Sequence, residues 1–578
     1  MSELFIALTC WCLIFRSGLV MNVSALSGRP LWSQAALLYR EWALKEAPWA
    51  AKTLAQRNTL PDWYRSNSLW LNTHWQCHDV FNVTGGEPAV VKNMVSQVAA
   101  LFDVPSIALH WYEWQQGPDP SPAKRYKFDT HYPDYFPPRQ PNIFKETMKS
   151  LRTDFGVYTV PYINGRIFDV GSDTYLADNG GQYCSQYVVT PKLRSTTSPA
   201  ENRANLAPYL ENYGNDATFC VASPFTPYWQ QILTNTVAEL TNIWDVDGVY
   251  IDQIGEATPR ECYDPIHGHT LGGGTYWTDG YEKMLLSIQK AMTPDSRGSL
   301  PPIVTENNAE VYMDLLQGYL TLTAFKKSLA QSPSSKRKLA DYPHMSPAFA
   351  AVYGGYYVGF GAEWFLTDFE DSNWFCGKLS AMMTSGAQMG WFSLISIVDD
   401  PTDSCGDMGV GSAFLDPANS DISDFVHLLA TERIKIVSYV VDGHLARPVV
   451  LQPPSDVLTQ EVASKNMPLL DYDAVSSAAW QLEVIDPDTH QKTVSTLIML
   501  IGNVQSAVYT GDIVFEFSNY GYEENQKLSL EIISDSANEA KHQPSVLAHT
   551  LAGPMASIPV IIQPRSVIFI LLKPTSIE

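Results

Sequence analysis

Asp247-Gly248-Val249-Tyr250-Ile251-Asp252 (DGVYID) is the strongest single feature of the sequence. Gly248 to Ile251 form a short run that delivers a carboxylate at its end. That length suits a strand buried on both faces rather than a helix. Helix-like segments flank it, Tyr228 to Asn242 before and Thr278 to Met292 after. Strands alternating with helices predict a parallel sheet. The strand candidates before it are Ser68–Trp75, Ser106–Trp114 and Val157–Ile163. Those after it are Pro302–Thr305, Tyr319–Thr323, Ala350–Gly359 and Ala387–Leu394. Further helices are predicted over Trp32–Gln56, Val91–Phe102 and Ile143–Arg152. Eight such units over roughly 400 residues favour an α/β (β/α)8 TIM barrel. An open doubly wound sheet is the alternative, but no glycine-rich dinucleotide or phosphate loop opens a helix after a strand.

Beyond about residue 435 the pattern changes. Ala446–Gln452, Ala479–Ile485, Ser495–Ile501, Gly511–Phe517 and Ser566–Leu572 alternate or run apolar, separated by turn residues such as Asp486-Pro487-Asp488. An antiparallel β-sandwich is expected there. The expected division is a signal peptide over 1–27, the barrel over 28–434 and the sandwich over 435–578. Leu4 to Phe15 is an apolar run of signal-peptide length, too short to span a bilayer, and Val23-Ser24-Ala25 offers a cleavage site. Glu3 stands where a positive charge is usual. The sequons at Asn22 and Asn82 agree with a secreted or extracellular glycoprotein. The cysteines left after cleavage are Cys77, Cys184, Cys220, Cys262, Cys376 and Cys405, an even set that permits disulfides.

The 578 residues are 45% hydrophobic and only 17% charged, enough to bury a large core. The formal net charge is -23, which argues against a nucleic-acid partner. Stable membrane insertion is not expected, and the oligomeric state is left open. Sixteen tryptophans and 29 tyrosines supply aromatic faces on which sugar rings stack, although most aromatics serve packing.

In such a barrel the active site lies at the carboxyl ends of the strands. The residues expected there are His74, then Trp111 and Tyr112, then Asn164 and Arg166, then Asp252 and Gln253, then Glu306. Asp252 and Glu306 leave adjacent strands. Strands lie about 4.8 Å apart, and retaining glycoside hydrolysis needs two carboxyl groups about 5–5.5 Å apart. A helix cap or rim ion pair would be the structural reading of the same two residues. Glu310, one helical turn on, competes with Glu306 for the acid/base role. Glu256 competes less strongly from a loop. Asp129 in a Pro-rich loop is a substrate contact or simply a turn former. After the fourth strand, His267 and His269 precede Gly272-Gly273-Gly274, as in a loop that approaches a ligand. His-x-His is also a weak metal pattern, but spacing fixes no third ligand. No metal and no cofactor is expected.

Several segments together resemble a family catalogued as domain of unknown function 6259 and grouped with barrel-type glycoside hydrolases. They are Tyr39-Arg40-Glu41-Trp42, His110-Trp111-Tyr112, Phe128-Asp129 with Tyr132 to Phe136, Pro161 to Arg166, Val249 to Gln253, His267-Gly268-His269 with the triple glycine, and Thr305-Glu306. The resemblance implies a TIM barrel with a trailing β domain. More distantly, the Tyr-x-Asp exit and the fifth-strand Glu look like those of endo-α-N-acetylgalactosaminidases and α-amylase-like enzymes. There the matching Asp is the nucleophile and the matching Glu the acid/base. Such relatives often carry a β domain ahead of the barrel, where this sequence has about thirty residues.

The expected function is therefore a retaining glycoside hydrolase acting on a carbohydrate, with Asp252 as nucleophile and Glu306 as acid/base. The rivals are a non-catalytic carbohydrate-binding barrel and a metal-dependent hydrolase built on His267, His269 and a carboxylate.

Overall fold

The computed structural model describes residues 31–57, 59–73, 89–112, 114–115, 130–138, 141–189, 203–213, 217–321, 346–393, 410–462, 467–468, 470–485, 492–537 and 550–575. Eight short parallel strands form one sheet. They are β1 (Leu69–Asn72), β2 (Ile107–Trp111), β3 (Val157–Asn164), β4 (Val249–Asp252), β5 (Ile303–Glu306), β6 (Gly318–Leu320), β7 (Val358–Phe360) and β8 (Met389–Ser393). They pair in chain order, and β8 returns to β1. A parallel bridge from Phe360 to Gln388 joins β7 to the start of β8, so the sheet closes on itself. This is the expected (β/α)8 barrel. The helices α1 (Leu31–Glu46), α2 (Ala89–Phe102), α3 (Pro141–Phe155), α4 (Pro227–Asn242), α5 (Tyr276–Ala291), α6 (Ser372–Thr384) and α7 (Ser420–Lys435) accompany it.

Two elements differ from the pattern read in the sequence. Ala350–Gly359 is not one strand: Ala348–Tyr353 is a turn of helix, and only Val358–Phe360 is extended. Gly355, at φ +88°, reverses the chain between them. The long helix expected over Trp32–Gln56 stops at Glu46, and Pro48 opens a separate 3-10 turn because it cannot continue an α-helix.

No helix separates β5 from β6. The connection over 307–317 holds only a 3-10 turn, Glu310–Tyr312. The N-terminal segment packs over it instead. The Tyr39 hydroxyl donates to both oxygens of Glu310 (3.1 and 2.9 Å), and the Trp49 indole N–H donates to Oε1 at 3.0 Å. The Arg57 guanidinium reaches the Asp314 carbonyl at 2.9 Å.

Among the described residues the C-terminal part has two main antiparallel sheets, one of six strands and one of three, and two short two-stranded ribbons, 457–458 with 472–473 and 461–462 with 467–468. Its long strands are β9 (Val475–Ile485), β10 (Lys492–Gly502), β11 (Tyr509–Glu516), β12 (Lys527–Asp535), β13 (Met555–Ile562) and β14 (Val567–Pro574). The run Leu497 to Ile501 is apolar without alternation because both faces of β10 are covered. Ile498 and Leu500 join the core between the two sheets, while Leu497, Met499 and Ile501 join the core of the barrel. In β14 the same split sends Ile568 and Ile570 one way, Val567 and Phe569 the other.

Cys184 and Cys220 form a disulfide, and Cys262 and Cys376 are buried free thiols. Residues 1–30, the sequon asparagine Asn82, Cys77 and Cys405 lie outside the described residues. Among the described residues no helix is long and apolar enough to cross a membrane.

Candidate active site

Side chains alternate along a strand, so residues two apart share a face. In β4 this places Tyr250 beneath Asp252, and in β3 it places Tyr162 beneath Asn164. The register sets the pairs level, Tyr162 with Tyr250 and Asn164 with Asp252. The Tyr162 hydroxyl donates to Asp252 Oδ2 at 2.8 Å, and the Asn164 amide approaches the same oxygen at 3.3 Å. Tyr250 and the backbone N–H of Gln253 also donate to this carboxylate. Burial pushes the Asp252 carboxyl up to about 6, against the pull of these donors and with help from the charge of Glu256.

On the other side of β4, Ile303 pairs with Val249 and Val304 with Tyr250. The same register carried two residues on sets Glu306 beside Asp252, and the Thr305 hydroxyl donates to the Ile251 carbonyl at 2.7 Å at that level. Both carboxylates are half-buried. The charges of Asp252 and Glu306 both act on Tyr250, whose hydroxyl is raised far above its ordinary value, burial being the main cause. The residue after each carboxylate is left-handed, Gln253 at φ +63° and Asn307 at +48°. Each strand thus turns away immediately past its acid. Gly255 lets the first of these turns lie on the second, since a Cβ there would be 2.7 Å from the Glu306 carbonyl oxygen. The Asn307 amide bonds to Glu256.

Aromatic rings form the floor. His110 is fully buried, with ring centroids 4.1 Å from Tyr250, 4.5 Å from Tyr112 and 6.1 Å from Tyr162. The Trp391 indole N–H donates to His110 Nδ1 at 2.8 Å. Burial holds the imidazole neutral, down to about 3. Trp391 reaches it through an irregularity in β8. The register with β1 shifts between Trp70 and Leu71, and Gly390 and Trp391 both have positive φ, +99° and +76°. Such an angle in a bulky residue is rare and is held by its surroundings.

Of the twelve positions expected to line the site, the structure groups four side chains, Asp252, Glu306, Asn164 and Tyr112, while Gln253 joins them through its backbone N–H and turns its side chain to Tyr213. Trp111 faces the opposite way from His110 and packs on Phe144 of α3, with centroids 5.6 Å apart. The alternation that turns His110 inward turns Trp111 out. Arg166 is buried and bidentate to Glu211 at 2.6 and 2.8 Å. Arg260 and Tyr213 share that carboxylate, which burial would raise but the two guanidiniums lower to about 2. Arg166 therefore braces the rim. Glu310 is held by Tyr39 and Trp49 on the N-terminal segment. His74 and Asp129 lie outside the described residues.

His267 and His269 face a third group, Cys262. One ligand atom from each of the three lies within 4.8 Å of the others, a set able to hold a metal ion. The residues missed by sequence reasoning are Tyr162, Tyr250, His110 and Trp391. For the first two the signal was present, as tyrosines two residues before a polar strand exit.

The fold and this centre define a (β/α)8 barrel protein with paired carboxylates at the exits of its fourth and fifth strands. The chain belongs to the family described as Domain of unknown function (DUF6259), whose model matches residues 22–364. A protein of Monosiga brevicollis, provisionally named a glycoside hydrolase, is 37% identical over 517 residues, 89% of this chain and 40% of its own length. One of Bacteroides thetaiotaomicron with the same provisional name is 27% identical over 367 residues, 62% of this chain and 45% of its own. The chain thus spans less than half the length of either relative. Solved structures are more distant. A maltogenic α-amylase of Thermotoga neapolitana is 10% identical with a TM-score of 0.49, over 88% of this chain and 99% of its own. An α-galactosidase of Geobacillus stearothermophilus is 10% identical with a TM-score of 0.47, over 94% of this chain and 59% of its own.

Proposed function

We propose that the protein is a retaining glycoside hydrolase. The observation that carries this reading is the placing of Asp252 and Glu306 side by side at adjacent strand exits above an aromatic floor. The provisional names of the two relatives support it. Asp252 attacks the anomeric carbon while Glu306 gives its proton to the leaving oxygen. Glu306 then takes a proton from water as the glycosyl ester to Asp252 is hydrolysed. Tyr162, Tyr250 and Asn164 hold the Asp252 oxygens in place, and neutral His110 supports Tyr250 and Tyr112 from below. Neighbouring strand exits favour the shorter carboxylate separation of the retaining route.

The test is hydrolysis of a panel of aryl α- and β-glycosides, N-acetylgalactosaminides included, with the wild type beside Asp252→Ala. Cleavage of a substrate that is lost in a folded Asp252→Ala variant supports the assignment, and retained cleavage removes it. The anomer of the first-formed product, followed by NMR, distinguishes retention from inversion. We further propose export to an oxidising compartment, supported by the Cys184–Cys220 disulfide. Glycosylation at Asn82 in a secreting host would agree with it.

A further inference from the structure

Outside the carboxylate centre, one cluster is arranged as ligands are. Cys262, His267 and His269 lie on the connection between β4 and α5. The Cys262 sulfur is 3.3 Å from His267 Nδ1. The ring centroids of the two histidines are 5.7 Å apart, close enough for both to face a common point. Each imidazole has its far side taken by a backbone carbonyl. His267 Nε2 lies 2.8 Å from the Gln182 oxygen, and His269 Nδ1 lies 2.9 Å from the Thr270 oxygen. A carbonyl only accepts, so those nitrogens carry the hydrogens. The lone pairs are then left on His267 Nδ1, facing the sulfur, and on His269 Nε2, which is buried without a hydrogen-bond partner. Ligating histidines are held in this way, with the second nitrogen donating to a carbonyl or carboxylate. Asp264 stands behind His267 at 4.0 Å from Nε2 and is itself paired with Arg203. The Gln186 backbone N–H points at the Cys262 sulfur from 3.4 Å, a donor suited to a thiolate.

We propose that Cys262, His267 and His269 bind a zinc-type divalent cation. Thiolate and imidazole together select borderline-soft metals over calcium or magnesium. On binding, the Cys262 thiol releases its proton to solvent, the sulfur and the two neutral imidazoles each give a lone pair, and solvent fills the fourth position. The ion pins the rim rather than performing the hydrolysis. Through the Gln182 carbonyl on His267 and the Gln186 N–H on the sulfur, it ties the 262–269 loop to the 182–186 segment, which the Cys184–Cys220 disulfide also anchors. His269 stacks on Tyr276 at the start of α5, with centroids 4.1 Å apart. Arg260, on the same loop, reaches the Glu211 carboxylate that braces Arg166. Spacing alone offered only the two histidines. Cys262 is brought to them by the turn at Asp264-Pro265, where the Asp264 side chain accepts the Ile266 N–H.

The test is titration of the metal-stripped, full-length chain with Co2+, followed by displacement with Zn2+. One bound Co2+ with a sulfur-to-cobalt charge-transfer absorption, bleached by Zn2+, is expected. Cys262→Ser should lose that absorption. His269→Ala removes a partly exposed side chain and should weaken Co2+ binding at least ~10-fold with the circular dichroism unchanged. It thus tests the site even where Cys262→Ser fails to fold. Absence of the charge-transfer absorption in wild type overturns the proposal, as does the same absorption in Cys262→Ser or undiminished Co2+ affinity in His269→Ala. These readouts are independent of glycoside cleavage.

Discussion

Asp252 occupies a place that resists its charge. Its carboxyl ionises near pH 6 rather than near 3.8, so below that pH the proposed nucleophile carries a proton. Activity should therefore rise as pH is raised through about 6, measurable in kcat/KM for an aryl glycoside. Tyr162→Phe deletes one donor to the ionised form, worth about 1 kcal/mol. The acid limb should then move up by roughly 0.7 of a pH unit. The same displacement bears on stability. A carboxyl that is harder to ionise folded than unfolded favours the folded state only while protonated, so its cost grows as pH passes from 4 to 6. Asp252→Asn should melt higher than wild type at pH 7, with the gap closing at pH 4. A variant that melts lower at pH 7 would show that the carboxylate supports the fold. At this scale the sequence was informative in part. The period of two in Val249-Tyr250-Ile251-Asp252 marks Tyr250 and Asp252 as sharing a face. It left the parity of His110-Trp111-Tyr112 open, because only the closed barrel says which face is inside.

Among the elements, the connection from β5 to β6 has the least conventional construction. Glu310 sits on it and satisfies Tyr39 and Trp49, so its charge fastens α1 and the Pro48–Ala51 turn to the barrel. Glu310→Ala leaves the Trp49 indole without its acceptor, and a hydrogen bond to a charged group contributes about 2 kcal/mol. A fall in melting temperature is expected, with kcat of the folded fraction unchanged. Loss of kcat at constant stability would instead return Glu310 to the chemistry. Most strands were legible because each is a short apolar run between polar exits. Ala350–Tyr353 was misread as strand because a buried helical turn is equally apolar and too short for its period to show. The role of Glu310 was hidden for another reason: its partners are 271 and 261 residues away in the chain.

Over the whole molecule, the barrel and the sandwich share the sheet that contains β10 and β14. Met499 lies in the barrel core although it belongs to the C-terminal domain by chain position. Met499→Ala should cost on the order of 3 kcal/mol and lower the melting of both parts together in a single calorimetric transition. Two separated transitions would show that the shared sheet does not couple them. The continuous apolar run of β10 was visible in the sequence, but a strand buried between two domains and one buried in a single core read alike.

The irregular β8 has one more consequence, and it concerns time. The floor of the site rests on a bond between Trp391 and His110, which are 281 residues apart. β8 is also the last of the eight barrel strands to be synthesised and the one that joins β7 to β1. On the ribosome, a chain that has emerged only as far as β7 has both carboxylates but lacks the wall that holds their supporting histidine. The floor of the centre is completed in the step that closes the barrel, so an emerging chain does not hold the finished site until that closure.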